Sequence, residues 1–266
     1  WTPPRVTVSS TAHQNPCYMM ASRILDADGS VIVVGDSFVD VHAGPLQSLP
    51  IWGTNTISPS PIAALPGGAA LNVASGLQRL CCSGVVLFSG IGRDAFGDLL
   101  RAHCARIGLY LREAAAEASQ PTGVCMVLSG PEDRAFCSHF GVSDTFDAAE
   151  LTDDVLGELR ARHIHVAGFF SCAALRRSLP AFLRRARAAG CTTSLDTNND
   201  ASGRWGAVDG LWEEVLPLVD IFMPNELEAC AIAGTPDDMQ ALDPPAACVA
   251  AAGMTHRTRW SLSASP

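Results

Sequence analysis

Acidic and amide side chains follow several predicted strands of this sequence, at positions where they could bind a ligand rich in hydroxyl groups. Predicted strands cover 31–35, 192–195 and 221–223, and polar residues come at the end of each. The side chains concerned are Asp36, Asp40, Asp196, Asn198, Asn225 and Glu228. Carboxylate and amide oxygens accept hydrogen bonds from hydroxyl groups. The pattern therefore favours a polyol ligand over an apolar one.

Paired glycines precede a predicted helix over 69–80. Gly67 and Gly68 would let a ligand approach the backbone and the positive end of that helix. Asn72 lies one turn into the helix, where its amide can point at the same ligand. The glycine pair thus extends the predicted polar site.

Each of these features also has a purely structural alternative. Paired glycines often form a tight turn, and residues such as Asp196 and Asn198 commonly stabilise loops. Asn225 and Glu228 have the spacing of a helix N-cap and its capping-box acid. The occurrence of all of them at strand ends favours a ligand site.

Composition excludes several classes of protein. All 18 basic residues are arginines, which removes mechanisms that need a lysine amine, such as a Walker A loop or a Schiff base. A net charge of −9 argues against a general nucleic-acid binder. The longest apolar run, 246–254, is far shorter than the roughly 18 residues that span a bilayer. The glycines of 90–97 lack the spacing of a dinucleotide site, which disfavours a redox protein.

The elements that must position the polar residues alternate between strand and helix. β-Branched runs such as 31–35 and 85–90 end in glycine, and helical segments of ten to fifteen residues separate the predicted strands. This order predicts an α/β fold, an open and mostly parallel sheet with helices on both faces. Ligands of such sheets bind beyond the carboxyl ends of the strands.

Two regions break this alternation. Residues 41–64 contain short extended pieces separated by prolines, and 123–140 reads as a hairpin, so together they predict a small antiparallel β lid. The body is predicted as one domain over 30–242. Residues 1–29 are predicted to be a disordered segment and 243–266 an irregular tail.

Five motifs in this order resemble the ribokinase-like (PfkB) carbohydrate kinases over about 31–234. They are Pro66-Gly67-Gly68 with Asn72, Gly92 with Asp94 and Gly97, Pro121-Thr122-Gly123, Asp196 with Asn198, and Asn225 with Glu228. The resemblance implies ATP-dependent phosphorylation of a sugar or sugar-acid hydroxyl, with Mg²⁺ as the metal. It also implies a lid that closes over the sugar and forms a possible homodimer contact. The charge and the short apolar runs, not the resemblance, predict no nucleic-acid or membrane partner.

The resemblance assigns roles to individual residues. Asp40 would grip sugar hydroxyls, with Gly67, Gly68 and Asn72 lining the same site. Asp196 and Asn198 would lie between sugar and nucleotide. Asn225 and Glu228 would organise the ATP phosphates and Mg²⁺, Glu228 through water. Arg134 in the lid is a candidate contact to an acidic or phosphorylated substrate, with a solvated turn arginine as the alternative.

One diagnostic element of these kinases does not occur in the printed sequence. The family's late D-T-x-G-A-G-D motif supplies the catalytic base and an anion hole, and the 38 residues after Glu228 contain no such segment. The sequence is therefore expected to be a C-terminally truncated member that lacks part of the nucleotide-binding half, with no catalytic residue assigned. The alternative to a sugar kinase is an inactive sugar-binding or regulatory remnant of the same family.

The location follows from what the sequence lacks. Its first 29 residues contain no apolar core of a secretory signal, which favours the cytoplasm, with an organelle transit peptide as the alternative. The sugar itself stays open between ribose, fructose, 2-keto-3-deoxygluconate and related compounds.

Overall fold

One interior strand of the main sheet is buried on both of its faces. A computed structural model describes residues 29–80, 84–117, 119–208, 210–233 and 259–260. In β1 (Ser30–Gly35), Ile32 and Val34 pack into one apolar core, and Val33 packs into a second core on the opposite face. Successive strand residues point to opposite faces, so this continuous apolar run lies between two layers.

The main sheet contains seven strands within the described part of the chain. With β1 they are β4 (Val85–Ser89), β5 (Tyr110–Glu113), β8 (Ala161–Ala167), β9 (Thr192–Asp196), β10 (Ile221–Phe222) and β11 (Arg259–Trp260). Their spatial order is β11-β10-β9-β8-β1-β4-β5, and every neighbouring pair is parallel. The predicted α/β fold with an open parallel sheet is confirmed.

Helices cover both faces of this sheet. They are α1 (Ala69–Arg79), α2 (Ala95–Ile107), α3 (Asp153–Glu158), α4 (Ala173–Ala188) and α5 (Glu226–Ala233). Leu179 and Phe182 of α4 belong to the same core as Ile32, whereas Leu71 of α1 and Leu100 of α2 belong to the core of Val33. No helix among the described residues is long and apolar enough to cross a membrane.

A second sheet of four strands forms the lid. Its strands are β2 (Phe38–Ala43), β3 (Ala63–Gly67), β6 (Gly123–Ser129) and β7 (Arg134–His139), in the order β3-β2-β6-β7. The two outer pairs are antiparallel, as predicted, but β2 and β6 are parallel, so the sheet is mixed rather than antiparallel. Both central strands leave the body at the same edge, where Phe38 pairs with Gly123, and this common origin makes them parallel.

The ends of the chain are described only in part. The predicted disordered segment 1–29 lies outside the described residues except for Gly29, and most of the predicted tail 243–266 does too. Arg259 and Trp260 of that tail pair with Ile221 and Phe222 as a short parallel strand. The domain boundaries at 30 and 242 stay predictions.

Asp94 ties the body to the base of the lid. It is the N-cap of α2, where its Oδ1 accepts the backbone N–H of Gly97 at 2.8 Å. Its carboxylate also accepts the N–H and the hydroxyl of Thr122, at 2.8 and 2.7 Å, immediately before β6. Burial alone would raise the pKa of Asp94, but these hydrogen bonds outweigh it and lower the pKa. One carboxylate therefore fixes both a helix start and a lid strand.

Replacing Asp94 with alanine should lower the free energy of unfolding by about 1–2 kcal/mol, since it removes a helix cap and leaves buried donors unpaired. Urea denaturation measures this change. Asp98→Ala is the matched control in the same helix, because Asp98 is exposed and makes only a surface contact to Arg101. Equal losses in the two variants would contradict the role of Asp94.

Candidate functional site

Except for Arg134, the predicted polar residues gather at one edge of the main sheet, facing the base of the lid. Asp196 ends β9, and Asn225 lies just after β10. The carboxyl ends of parallel strands meet at one edge, where β1 also continues into β2. Gly67 and Gly68 lead from β3 of the lid into α1. The site thus lies between the sheet edge and the lid.

Asp40 and Gly67 are diagonal neighbours on adjacent strands of the lid sheet. Asp40 pairs with Leu65 on the adjacent strand, and its carboxylate lies where a side chain on Gly67 would be. Only glycine leaves room for the carboxylate at this place. Burial raises the pKa of Asp40, and the charge of His42 opposes the rise. The structure therefore brings a half-buried carboxylate against the glycine pair.

Gly68 begins α1 in a backbone conformation that favours glycine. Its φ is 92°, and a Cβ there would lie 2.8 Å from the carbonyl oxygen of Asp36 and from the nitrogen of Phe38. The chain at the start of α1 therefore packs directly against the β1–β2 junction. Asn72, whose N–H donates to the Gly68 carbonyl at 2.9 Å, presents an exposed side chain on the first turn of α1.

Asp196 and Asn198 form a tight turn after β9. The Oδ1 of Asp196 accepts the N–H of Asn198 at 3.1 Å, and Asn198 has a φ of 60°. This is an Asx turn, so the turn-forming alternative describes the local geometry. Burial raises the pKa of Asp196, and its charge acts on both Asp36 and Glu228. Three carboxyl groups therefore share one electrostatic environment.

Asn225 and Glu228 form a reciprocal capping box at the start of α5. The carboxylate of Glu228 accepts the backbone N–H and the side-chain amide of Asn225, at 3.1 and 2.8 Å. In return, the Asn225 side-chain oxygen accepts the N–H of Glu228 at 2.9 Å. Asn225 and Glu228 therefore form the helix N-cap and capping box that the structural alternative predicted.

Glu228 nevertheless has an unusual environment for a cap. It is only 7% exposed, and burial raises its pKa to about 7; the N–H of Asn225 opposes the rise and the charge of Asp196 adds to it. The neighbouring carboxyl groups of Glu228 and Asp196 offer the oxygen ligands that a hard divalent cation prefers, and the charge of such a cation would relieve the repulsion between them. The donor set therefore fits Mg²⁺.

Arg134 lies at the outer end of the lid, on the face that carries Asp40. On β6, Cys125 pairs with Asp40 and Ser129 pairs with Arg134. The four residues from Cys125 to Ser129 span about 13 Å at the rise of a strand, so Arg134 lies that far along the lid from Asp40. Its guanidinium stacks over the ring of Phe136 at 5.6 Å. The structure does not bring Arg134 next to the other predicted residues, and its role stays a prediction.

Asp36 and Ser171 belong to the same centre; the sequence analysis noted Asp36 among the polar residues at strand ends but gave it no role, and it did not name Ser171. Asp36 is 1% exposed, accepts the N–H of Ala70 at 3.2 Å and contacts the Ser171 hydroxyl at 2.5 Å. A carboxylate directly after the first strand was a visible signal for Asp36. Ser171 carries no such signal, because its contact spans 135 residues of sequence.

Replacing Gly67 with alanine should displace the Asp40 carboxylate and destabilise the fold by about 1–3 kcal/mol through overpacking. The matched control is Gly76→Ala in α1, where a Cβ would meet nothing within 4 Å. That control should be neutral or stabilising by up to about 1 kcal/mol, as alanine favours helix. Urea denaturation of both variants checks the difference, and an unchanged Gly67→Ala protein would contradict the packing of Asp40.

Comparisons with solved structures agree with this fold. A fructokinase with bound ATP from Xylella fastidiosa is 22% identical, with a TM-score of 0.65 over 90% of this chain and 73% of that chain. A ribokinase from Arabidopsis thaliana complexed with ribose and ATP is 19% identical, with a TM-score of 0.62 over 88% and 72%. A candidate ribokinase II from E. coli in complex with ATP and Mg²⁺ is 21% identical, with a TM-score of 0.66 over 85% and 70%.

A family model identifies the family, which these pairwise likenesses do not. The model described as pfkB family carbohydrate kinase matches residues 29–259, which include the lid sheet, the main sheet except Trp260, and every predicted site residue. The ribokinase-like resemblance of the sequence motifs is confirmed by this match. The chain belongs to the pfkB family of carbohydrate kinases.

Proposed function

We propose that this protein transfers a phosphoryl group from ATP to a hydroxyl of a sugar or sugar acid. The observation that carries the proposal is the position of Asp40, whose carboxylate lies against the Gly67–Gly68 segment at the start of α1. The Asp40 carboxylate offers hydrogen-bond acceptors to a polyol, and the exposed side-chain amide of Asn72 offers donors.

The sugar side of the proposed site has two walls. The first wall lies at the base of the lid and the start of α1, and it consists of Asp40, Gly67, Gly68 and Asn72. Asp196 and Asn198 form the second, after β9. The carboxylates on the two walls can accept hydrogen bonds from different hydroxyls of one sugar, which would fix its orientation.

The nucleotide side is assigned to the start of α5. Asn225 and Glu228 are oxygen-bearing residues beside Asp196, and this donor set suits Mg²⁺ bound through water. When bound, Mg²⁺ would neutralise charge on the ATP phosphates. The ATP and Mg²⁺ complexes among the similar structures support this assignment.

The lid has two proposed roles. Closing over the site would exclude water, which competes with the sugar hydroxyl as phosphoryl acceptor.

Several apolar side chains of the lid are at least half exposed, which supports a homodimer formed through the lid. They are Ile51, Trp52 and Ile57, between β2 and β3, and Phe136 of β7. We also propose a cytoplasmic location, supported by the free thiols of Cys104, Cys125, Cys137, Cys172 and Cys191.

Asp40→Asn should weaken sugar binding by about 10- to 100-fold, the effect of losing a charged hydrogen-bond acceptor. Calorimetric titration with D-ribose, D-fructose and 2-keto-3-deoxy-D-gluconate measures the affinity, and ADP release with Mg²⁺–ATP measures turnover. Glu132→Gln, on the exposed lid turn, is the matched control. Binding without turnover would favour the inactive sugar-binding alternative. No binding of any of the three sugars would contradict the proposed function.

Mg²⁺-dependent ATP binding should strengthen as pH rises from 6 to 8, because ionisation of Glu228 supplies the charge that holds the cation. With a pKa of about 7 the ionised fraction changes by up to about tenfold over this range. Glu228→Gln keeps a capping-box side chain but should show weaker binding with no such rise. Titrations in EDTA give the metal-free reference. A pH profile shared by both proteins would contradict the assignment.

A further inference from the structure

The carboxyl groups of the proposed site come from separate parts of the chain. Asp40 lies on β2 of the lid, Asp196 ends β9, and Glu228 lies in the first turn of α5. Asp36 lies behind the first wall, between β1 and β2, where it accepts a backbone N–H from the start of α1 at 3.2 Å. A sugar bound between the two walls therefore has acidic groups on both sides.

These groups give the site a negative charge. Burial raises the pKa of Asp36 to about 6 and that of Glu228 to about 7, and the charge of Asp196 adds to both rises. Burial also raises the pKa of Asp40 and of Asp196 itself. At pH 8, above both values, Asp36 and Glu228 are mainly ionised. A ligand of the site therefore meets several like charges at close range.

The described cations compensate little of this charge. His42 lies two residues from Asp40 on β2, and its charge opposes the rise in the pKa of Asp40. Among the described residues it is the one cation whose charge shifts the pKa of Asp40, Asp196 or Glu228. The second wall and the start of α5 thus have no described cationic neighbour that acts on their carboxyl groups.

The arginines nearest this edge of the sheet bind elsewhere or face solvent. Arg176 of α4 donates to the carbonyl of Phe170 at 3.4 Å, and Arg204 donates to the carbonyl of Ala207 at 3.0 Å. Arg93, after β4, is exposed. Of these three, Arg93 is the one whose side chain could turn towards a bound anion.

Arg134 of the lid is separated from Asp40 in two directions. It lies about 13 Å along the lid, and β6 stands between its strand and β2, which adds about 10 Å across the sheet. Its guanidinium stacks over the ring of Phe136. A six-carbon sugar has five carbon–carbon bonds of about 1.5 Å, so it is shorter than about 8 Å. A sugar held at Asp40 therefore does not span the distance to Arg134.

Hydrogen bonding favours the same kind of ligand as the charge does. An ionised carboxylate only accepts hydrogen bonds, whereas each sugar hydroxyl can donate one. A sugar acid replaces one such hydroxyl with a carboxylate, which has no hydrogen to give to Asp40 or Asp196. Its charge would also be repelled by theirs.

We propose that the site selects uncharged sugars and rejects sugar acids and phosphorylated sugars, through repulsion by the carboxylates of Asp40, Asp196 and Glu228. This inference rests on the proposed function and narrows its substrates to the uncharged class.

The test compares sugars that differ in one anionic group. The pairs are D-fructose with 2-keto-D-gluconate, 3-deoxy-D-fructose with 2-keto-3-deoxy-D-gluconate, and D-ribose with D-ribose 5-phosphate. Calorimetric titration at pH 8 in EDTA, without ATP, measures each affinity with the acidic groups ionised and no divalent cation present. In any pair that binds, the uncharged member should bind at least about 30-fold more tightly, as expected for like charges brought together.

Two variants test whether the carboxylates cause this preference. Asp40→Asn and Asp196→Asn each remove one negative charge, and each should reduce the ratio of the two affinities by at least about threefold. Asn at 196 keeps an oxygen that can accept the N–H of Asn198, so the turn after β9 should be retained. Glu132→Gln removes a charge from the exposed lid turn and is the matched control, with an unchanged ratio.

Two arginine variants test the opposite interpretation. If Arg134 or Arg93 bound an anionic substrate, Arg134→Gln or Arg93→Gln would weaken the charged member of a pair and spare the uncharged one. We expect neither variant to do so. Selective loss of the charged sugar in either variant would overturn the proposal.

The possible failures are distinguishable. A wild type that binds no member of any pair contradicts the proposed function and with it the preference. Equal or tighter binding of the charged members leaves the proposed function standing and overturns the preference for uncharged sugars. A preference that is the same in Asp40→Asn, Asp196→Asn and Glu132→Gln would also overturn the proposal, because it would not arise from the carboxylates of the site.

Discussion

The structure depends on the continuity of β1 with the lid. The strand is buried on both faces in the body, and only Asp36 and Ser37 separate its last residue from the first lid strand. The direction in which the lid leaves the sheet is therefore fixed by a strand that is buried on both faces. Gly68 packs against this same junction, which sets where α1 begins. These two contacts place the carboxylates of Asp36 and Asp40.

Much of the body was predictable from local sequence. The β-branched run of β1 and the glycines that follow the strands carry their own structural signal, because a strand buried on both faces must be apolar throughout. The parallel pairing of β2 with β6 was not predictable, because neither strand reveals the distant chain that lies beside it. The start of α2 at Ala95 follows from the Asp94 cap, a residue noted only as part of a motif.

The same limit applies to the site. Asp40, Asn225 and Glu228 could be found because their spacing relative to strands and helices is visible in the sequence. Ser171 could not, since a serine between two apolar residues gains its meaning only from a carboxyl group brought to it by the fold. The capping box shows a further point: Glu228 satisfies a helix terminus and also lies beside Asp196, so its structural and chemical interpretations are not exclusive.

The pairing within the lid has a consequence for how the protein folds. β2 and β3 come early in the chain, but β2 must wait for β6, which follows α1, β4, α2 and β5, before its second edge is paired. Contacts between such distant segments form slowly, because the intervening loop must be closed first. The β1–β4 layer with α1 can assemble from nearby residues, so the lid sheet is expected to be completed late. During synthesis on the ribosome, the edge of β2 would stay open until the hairpin of β6 and β7 has emerged.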